Sequence, residues 1–171
     1  MSVHSKFFNN AAGHTLFDKL KGIASQMTSF DRFLAVVGFF RSSGYFKLRR
    51  ELGDISEIKV LVGINIDDIF RKHNKALLML ADEEKAKEIY STDFKEDILN
   101  AQYSPEVEQG ILQMCDDLAS GRLQMRIHAT KNLHAKFYLC LPENHSEHSD
   151  GWVIMGSSNI SESGLGIKQP P

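Results

Sequence analysis

His134 and Lys136 are separated by one residue in NLHAKFY (132–138), and twenty residues after the lysine comes Gly156-Ser157-Ser158-Asn159. These residue types suit chemistry on an anionic centre. A neutral imidazole is a competent nucleophile near pH 7. An ammonium can hold anionic oxygens while charge develops on them. Serine hydroxyls, an asparagine amide and the backbone N–H groups of a glycine turn are neutral donors that can cradle an anion. Spacing decides whether they can act together. Period-two alternation over 133–141 puts Leu133, Ala135, Phe137, Leu139 and Leu141 on one face of a strand. His134, Lys136, Tyr138 and Cys140 then share the other. Two residue rises separate His134 and Lys136 by about 7 Å, within joint reach of one phosphate-sized group. The alternative is an ordinary polar pair on a wet sheet surface. The glycine-serine turn weighs against it. An apolar strand over 152–155, returning antiparallel, would bring residues 156–159 to the start of the strand that carries the pair.

The elements that must position these residues are legible upstream. Thr15 followed by Asp18 reads as a helix start, with Leu16, Leu20, Ile23 and Met27 on one face. The apolar runs at 32–40 and 57–66 have strand length and β-forming composition, which predicts buried strands. Residues 42–52 read as a short helix closed by Gly53. Asp67 caps a helix carrying Ile69, Ala76, Leu77 and Leu80 that continues or restarts over 82–90. Ser104 caps a further helix with Pro105 at its first position and Glu106 and Glu108 in its first turn. Its buried stripe is Val107, Ile111, Met114 and Leu118, and Gly121 ends it. Strands follow at 122–128, 132–141 and 151–156. Helix and strand alternate first and strands gather later, which predicts an α/β or α+β sandwich with a mixed sheet.

The chain has 171 residues, a length for one domain with a sizeable core. No apolar run reaches the roughly 18 residues of a membrane helix, and the N-terminal residues lack a signal peptide's apolar centre. The expectation is a cytoplasmic protein with no membrane association. Two cysteines, Cys115 and Cys140, are expected as reduced, buried thiols. The net charge of −2 excludes a protein that holds nucleic acid by overall charge. Locally, Arg122, Arg126, Lys131 and Lys136 lie in 118–142 with no acid, as do Arg41, Lys47, Arg49 and Arg50 in 41–50. Solvated faces would produce such runs; so would positive potential around an anionic substrate.

With H-A-K, a hairpin and G-S-S-N in place, residues 123–166 resemble the His-x-Lys…Gly-Ser-x-Asn signature of the phospholipase D superfamily of phosphodiesterases. Residues 38–48 also resemble the opening of phospholipase D-like domains attached to bacterial helicases and found in some restriction nucleases. The resemblance implies a phospholipase D-like α/β/α sandwich with a mixed sheet over 1–171, expected as a fragment of a longer protein with possible C-terminal helicase or other domains. It implies metal-independent cleavage of a phosphodiester, with DNA as substrate, no cofactor and no metal. His134 would be the nucleophile that forms a phosphohistidine. Lys136 and Asn159 would bind the phosphoryl oxygens, with Ser157, Ser158 and Gly156 as substrate-binding residues of the turn. A second histidine would protonate the leaving oxygen. Single-motif members form homodimers, so His134 of a second copy is the expected source. One family position departs: the motif aspartate, five residues after the lysine, is Leu141, with Asp150 as a possible displaced substitute. The rival expectation is a catalytically inactive nucleic-acid-docking or dimerisation module of the same fold.

Other residues have simpler readings. His145 and His148 lie in a polar hairpin tip without partner cysteines. Tyr138 either lines the cleft or packs as a core aromatic. Arg41 sits at a ligand cleft or in a salt bridge. His128 is expected to cap a turn, and Trp152 to lie in the core.

Overall fold

A computed structural model describes residues 7–9, 11–27, 29–63, 104–128 and 133–167. In chain order the elements are α1 (Leu16–Gln26), β1 (Phe30–Val37), α2 (Ser42–Leu52), β2 (Glu57–Gly63), α3 (Pro105–Ala119), β3 (Leu123–His128), β4 (Phe137–Pro142), β5 (Trp152–Met155) and α4 (Glu162–Leu165). The helix expected after Asp67 and its continuation over 82–90 lie outside the described residues, as do residues 64–66 of the second expected strand.

Three helices start at a side-chain cap, and α2, which follows Arg41, starts without one. Thr15 and Asp18 form a reciprocal capping box, with the Asp18 N–H donating to Thr15 Oγ1 and the Thr15 N–H donating to Asp18 Oδ2. Ser104 Oγ accepts from the Val107 N–H, and Pro105 opens α3 where no N–H is needed. Gly53 follows α2 at φ 69°, a value that favours glycine.

The sheet order is β3-β2-β1-β4-β5. β1, β2 and β3 run parallel, β4 pairs antiparallel with β1, and β5 antiparallel with β4. The protein is therefore α/β with an open mixed sheet. In register, Phe33, Ala35 and Val37 of β1, Ile58, Val60 and Val62 of β2, Leu123 of β3, and Tyr138 and Cys140 of β4 share one face. That face forms one core with Leu16, Leu20, Ile23, Tyr45, Leu48, Leu52, Met114 and Leu165 of the four helices. The described helices thus make a single layer. The opposite face carries Leu34, Val36, Leu61, Phe137 and Leu139, half-buried, and Val153 and Met155, exposed.

Several expectations are corrected. β4 begins at Phe137, so His134 and Lys136 precede the strand and do not lie on it. Within β4, Tyr138 packs as a core aromatic and Cys140 is buried, as expected of that thiol, while Phe137, Leu139 and Leu141 are half-buried. The physical reason is register. Tyr138 and Cys140 pair with Ala35 and Phe33, which the helices cover, and Tyr138 stacks on Phe33 at 6.1 Å. Burial pushes the Cys140 thiol up to about 12 and raises the Tyr138 hydroxyl. Trp152 is not core; it is 43% exposed on the edge strand β5. Leu118 and Cys115 are exposed on α3, because the helix turns Gly110, Met114 and Asp117 inward.

Asp117 is the main polar group of the core. It is fully buried and accepts from Tyr45 Oη at 2.7 Å, Arg49 Nε at 2.7 Å, Arg122 Nη1 at 3.0 Å and Gln113 Nε2 at 3.2 Å. It ties α2, α3 and the start of β3 together. Among the described residues, no helix is long and apolar enough to cross a membrane.

Candidate functional site

Because β1, β2 and β3 are parallel and β4 is reversed, the ends of the first three strands, the start of β4 and the end of β5 fall on one edge of the sheet. Ligands of open α/β sheets bind beyond the carboxyl ends of parallel strands. The segment 133–136 runs along this edge. A Cβ built on Gly63, at the end of β2, would stand 2.7 Å from Leu133 Cβ, and one on Gly38, just past β1, 3.3 Å from the Leu133 carbonyl oxygen. Leu133 therefore lies against two strand ends, and His134 follows it into solvent, exposed.

Lys136 is half-buried and its ammonium donates to the His134 carbonyl at 2.7 Å. That contact folds the lysine back over its own loop. The Lys136 carbonyl accepts from the Gly156 N–H at 3.1 Å, one step beyond the ladder pair Phe137–Met155, so the lysine sits beside the start of the glycine-serine turn.

Asn159 is the best-anchored of the expected residues. Its Oδ1 accepts the N–H groups of Gly38 and Phe39, both at 3.0 Å. Two backbone donors on one oxygen settle which way the amide faces. Nδ2 keeps both its protons, with no partner among the described residues. The point where a Gly38 Cβ would stand is 3.4 Å from Lys136 Nζ and 3.4 Å from Asn159 Oδ1. The lysine and the asparagine thus meet over Gly38.

The turn is fixed from three sides. Tyr138 Oη donates to the Ser158 carbonyl at 2.6 Å. Phe40 and Ile160 form a parallel bridge, and the Arg41 N–H donates to the Ile160 carbonyl at 2.8 Å. Ser161 caps α4 by accepting from the Gly164 N–H. Ser157 and Gly156 are exposed and Ser158 is half-buried; Phe8 packs beside Gly156. His128 ends β3 opposite Gly63, on the same edge but two strands from β1.

The structure thus gathers His134, Lys136, Gly156, Ser157, Ser158 and Asn159 at one edge. It places others elsewhere. Leu141 lies near the far end of β4, and Asp150 is exposed in the hairpin beyond it, so Asp150 is at the opposite end of the strand from Lys136. It lies on the side of Leu141, whose Cδ2 would be 2.8 Å from a Cβ on the adjacent Gly151. His145 and His148 occupy the same distant hairpin. His145 Nδ1 pairs with Ser149 Oγ at 2.9 Å, and no group of three metal-ligating residues occurs among the described residues. The backbone of Gly38 and Phe39 was not foreseen as part of the site, whereas Tyr138 was expected either to line the cleft or to pack as a core aromatic. A glycine closing a buried strand was the available signal for that backbone.

In comparison with known proteins, no family model matches the chain and no curated sequence is similar to it.

Proposed function

We propose that this chain is a phospholipase D-like phosphodiesterase domain, nuclease-like and acting on DNA without a metal. The observation that carries the reading is the meeting of Lys136 and Asn159 over Gly38, beside the exposed His134. A cation, an amide donor and a free imidazole at one sheet edge are the parts needed for displacement at phosphorus.

In this reading an imidazole nitrogen of His134 attacks the phosphorus, and the bond to the leaving oxygen breaks. That oxygen takes a proton from a second imidazole, supplied by His134 of another copy of the chain. Water then attacks the phosphohistidine and gives its proton to the second imidazole; the P–N bond breaks, His134 leaves as a neutral imidazole and a phosphomonoester is released. Lys136 and the Asn159 amide stabilise the oxygens in both steps. The exposure of His134 suits a nucleophile that must face a second copy and an extended substrate.

The test is hydrolysis of a bis-aryl phosphodiester and of DNA in the presence of EDTA. Cleavage should persist in EDTA and vanish in His134→Ala; loss of cleavage on chelation would refute the mechanism. Sedimentation should show a dimer.

A second reading, a catalytically inactive docking or dimerisation module of the same fold, is favoured by one observation: Leu141 stands where the motif aspartate would be, and Lys136 has no carboxylate partner among the described residues. Retained DNA binding with no cleavage by the dimer would select it.

A further inference from the structure

We propose that Gly38 is a positioning residue of the site: its lack of a side chain sets the separation at which Lys136 and Asn159 grip one oxyanion. The inference rests on the phosphodiester reading given above.

Two ordinary reasons for a glycine are missing at this position. Its backbone is not in the left-handed region; the glycines with positive φ are Gly13, Gly53, Gly121 and Gly166. A side chain would therefore carry no conformational strain. Nor does a hard clash exclude a side chain: a Cβ at Gly38 would stand 3.3 Å from the Leu133 carbonyl, so that the loop must give by a few tenths of an ångström, and 3.4 Å from both Lys136 Nζ and Asn159 Oδ1. Gly63, one strand over, is the contrast. A Cβ there would meet Leu133 at 2.7 Å and its carbonyl oxygen at 2.8 Å, a true clash against the loop.

What a methyl at Gly38 would touch is the chemistry. All three nearest atoms belong to the site: the ammonium, the amide oxygen and the loop that carries His134. An apolar group there would fill the space that the lysine and the asparagine both border, press on the loop that carries His134 and remove polar surroundings from the ammonium. Preorganised donors lose their effect with such small displacements. The Gly38 N–H meanwhile holds Asn159 Oδ1 at 3.0 Å, so the same residue fixes the amide and spaces the cation.

The experiment compares wild type, Gly38→Ala, Gly38→Val and Gly63→Ala by thermal melting, by calorimetric titration with inorganic phosphate, and by phosphodiester hydrolysis. Gly38→Ala should melt near the wild-type temperature, the restriction of the unfolded chain by alanine offsetting the tight contact with the Leu133 carbonyl, while phosphate affinity falls at least threefold and turnover falls with it. Gly38→Val should lose at least tenfold in affinity. Gly63→Ala, whose Cβ would meet Leu133 at 2.7 Å, should lower the melting temperature and sets the scale of a packing defect. In a Lys136→Met background, Gly38→Ala should add no further loss, because it acts through the lysine. Wild-type affinity in Gly38→Ala, or a melting temperature depressed as far as in Gly63→Ala, would overturn the inference and make Gly38 a packing residue. If wild type itself neither binds phosphate nor cleaves, the phosphodiester reading fails, and the inference falls with it.

Discussion

Asn159 divides its two halves between folding and chemistry, and two substitutions separate them. Asn159→Ala removes the acceptor of the Gly38 and Phe39 N–H groups, each held at 3.0 Å in a partly buried place. Leaving a buried donor unsatisfied costs about 1–3 kcal/mol; partial burial places each of these two near about 1–2, for a total of about 2–4 kcal/mol. For a chain of this size 1 kcal/mol moves the melting temperature by about 2–4 °C, so Asn159→Ala should lower it by roughly 5–15 °C. Asn159→Asp keeps the acceptor and strengthens it, because a carboxylate accepts from N–H more strongly than an amide does. Its melting temperature should match or exceed that of wild type. Both substitutions delete the Nδ2 donor, and the aspartate adds a negative charge beside Lys136, so both should lose phosphodiester cleavage. Scanning calorimetry paired with a hydrolysis assay reads the two halves at once. Equal destabilisation by alanine and aspartate would refute the reasoning, since the oxygen would then not be the group held by β1.

Asp117→Asn should unsettle the core without touching the site. It leaves the Arg49 side chain, 9% exposed, against a neutral amide. Breaking a buried pair costs about 3–5 kcal/mol; the partial exposure of Arg122 places this case near the low end, a fall of roughly 6–12 °C. Burial alone would raise the Asp117 carboxyl, but the hydrogen bonds from Arg49, Tyr45 and Arg122 outweigh it and hold the group below the usual carboxylate range. A depressed native value means that the stabilisation is complete above the ordinary aspartate range near about 4 and is lost as pH falls through the native value. The gap in melting temperature between wild type and variant should therefore narrow in acid; a gap that stays constant would refute the assignment. Tyr138→Phe keeps the stacking on Phe33 and removes the 2.6 Å bond to Ser158. It should cost about 1 kcal/mol and reduce turnover; unchanged turnover would show that the serine turn holds itself.

The candidate site was legible in the sequence through chemistry more than through geometry. His134, Lys136 and Asn159 do fall on one edge of the sheet, but not for the reason alternation suggested. Period two held over Phe137–Pro142, where Tyr138 and Cys140 alternate with Phe137, Leu139 and Leu141. It left open which set faces the helices, because both can be buried: a tyrosine and a cysteine pack on a helix-covered face as well as leucines do. It failed in extent because nothing in N-L-H-A-K marks where pairing begins. Only the crossing over Gly63 and Gly38 pulls 133–136 off the strand. Local signals did better. The capping box at Thr15, the Ser104-Pro105 start and the Gly53 stop involve residues close in sequence, so their chemistry is complete within a few positions. Asp117 was invisible for the opposite reason. Its partners Tyr45, Arg49 and Arg122 come from two other elements, and an acid in a helix reads as a surface residue until they are assembled around it.

The site's rigid and open parts divide in a way that fits displacement at phosphorus. Asn159 is clamped by two backbone donors, and its turn by the Tyr138 hydroxyl, so oxygen-binding groups need little rearrangement when a substrate arrives. His134 is exposed and makes no side-chain hydrogen bond among the described residues, which leaves its ring able to align with a leaving group opposite. The bond from Lys136 to the His134 carbonyl couples the two parts. An ammonium has three protons and spends one there. Two remain, so in the proposed reading the lysine can hold the loop that bears His134 and a phosphoryl oxygen at the same time. A lysine serving both ends would not let go of the loop to bind substrate, and the spacing of H-A-K would then be a mechanical requirement as well as a chemical one.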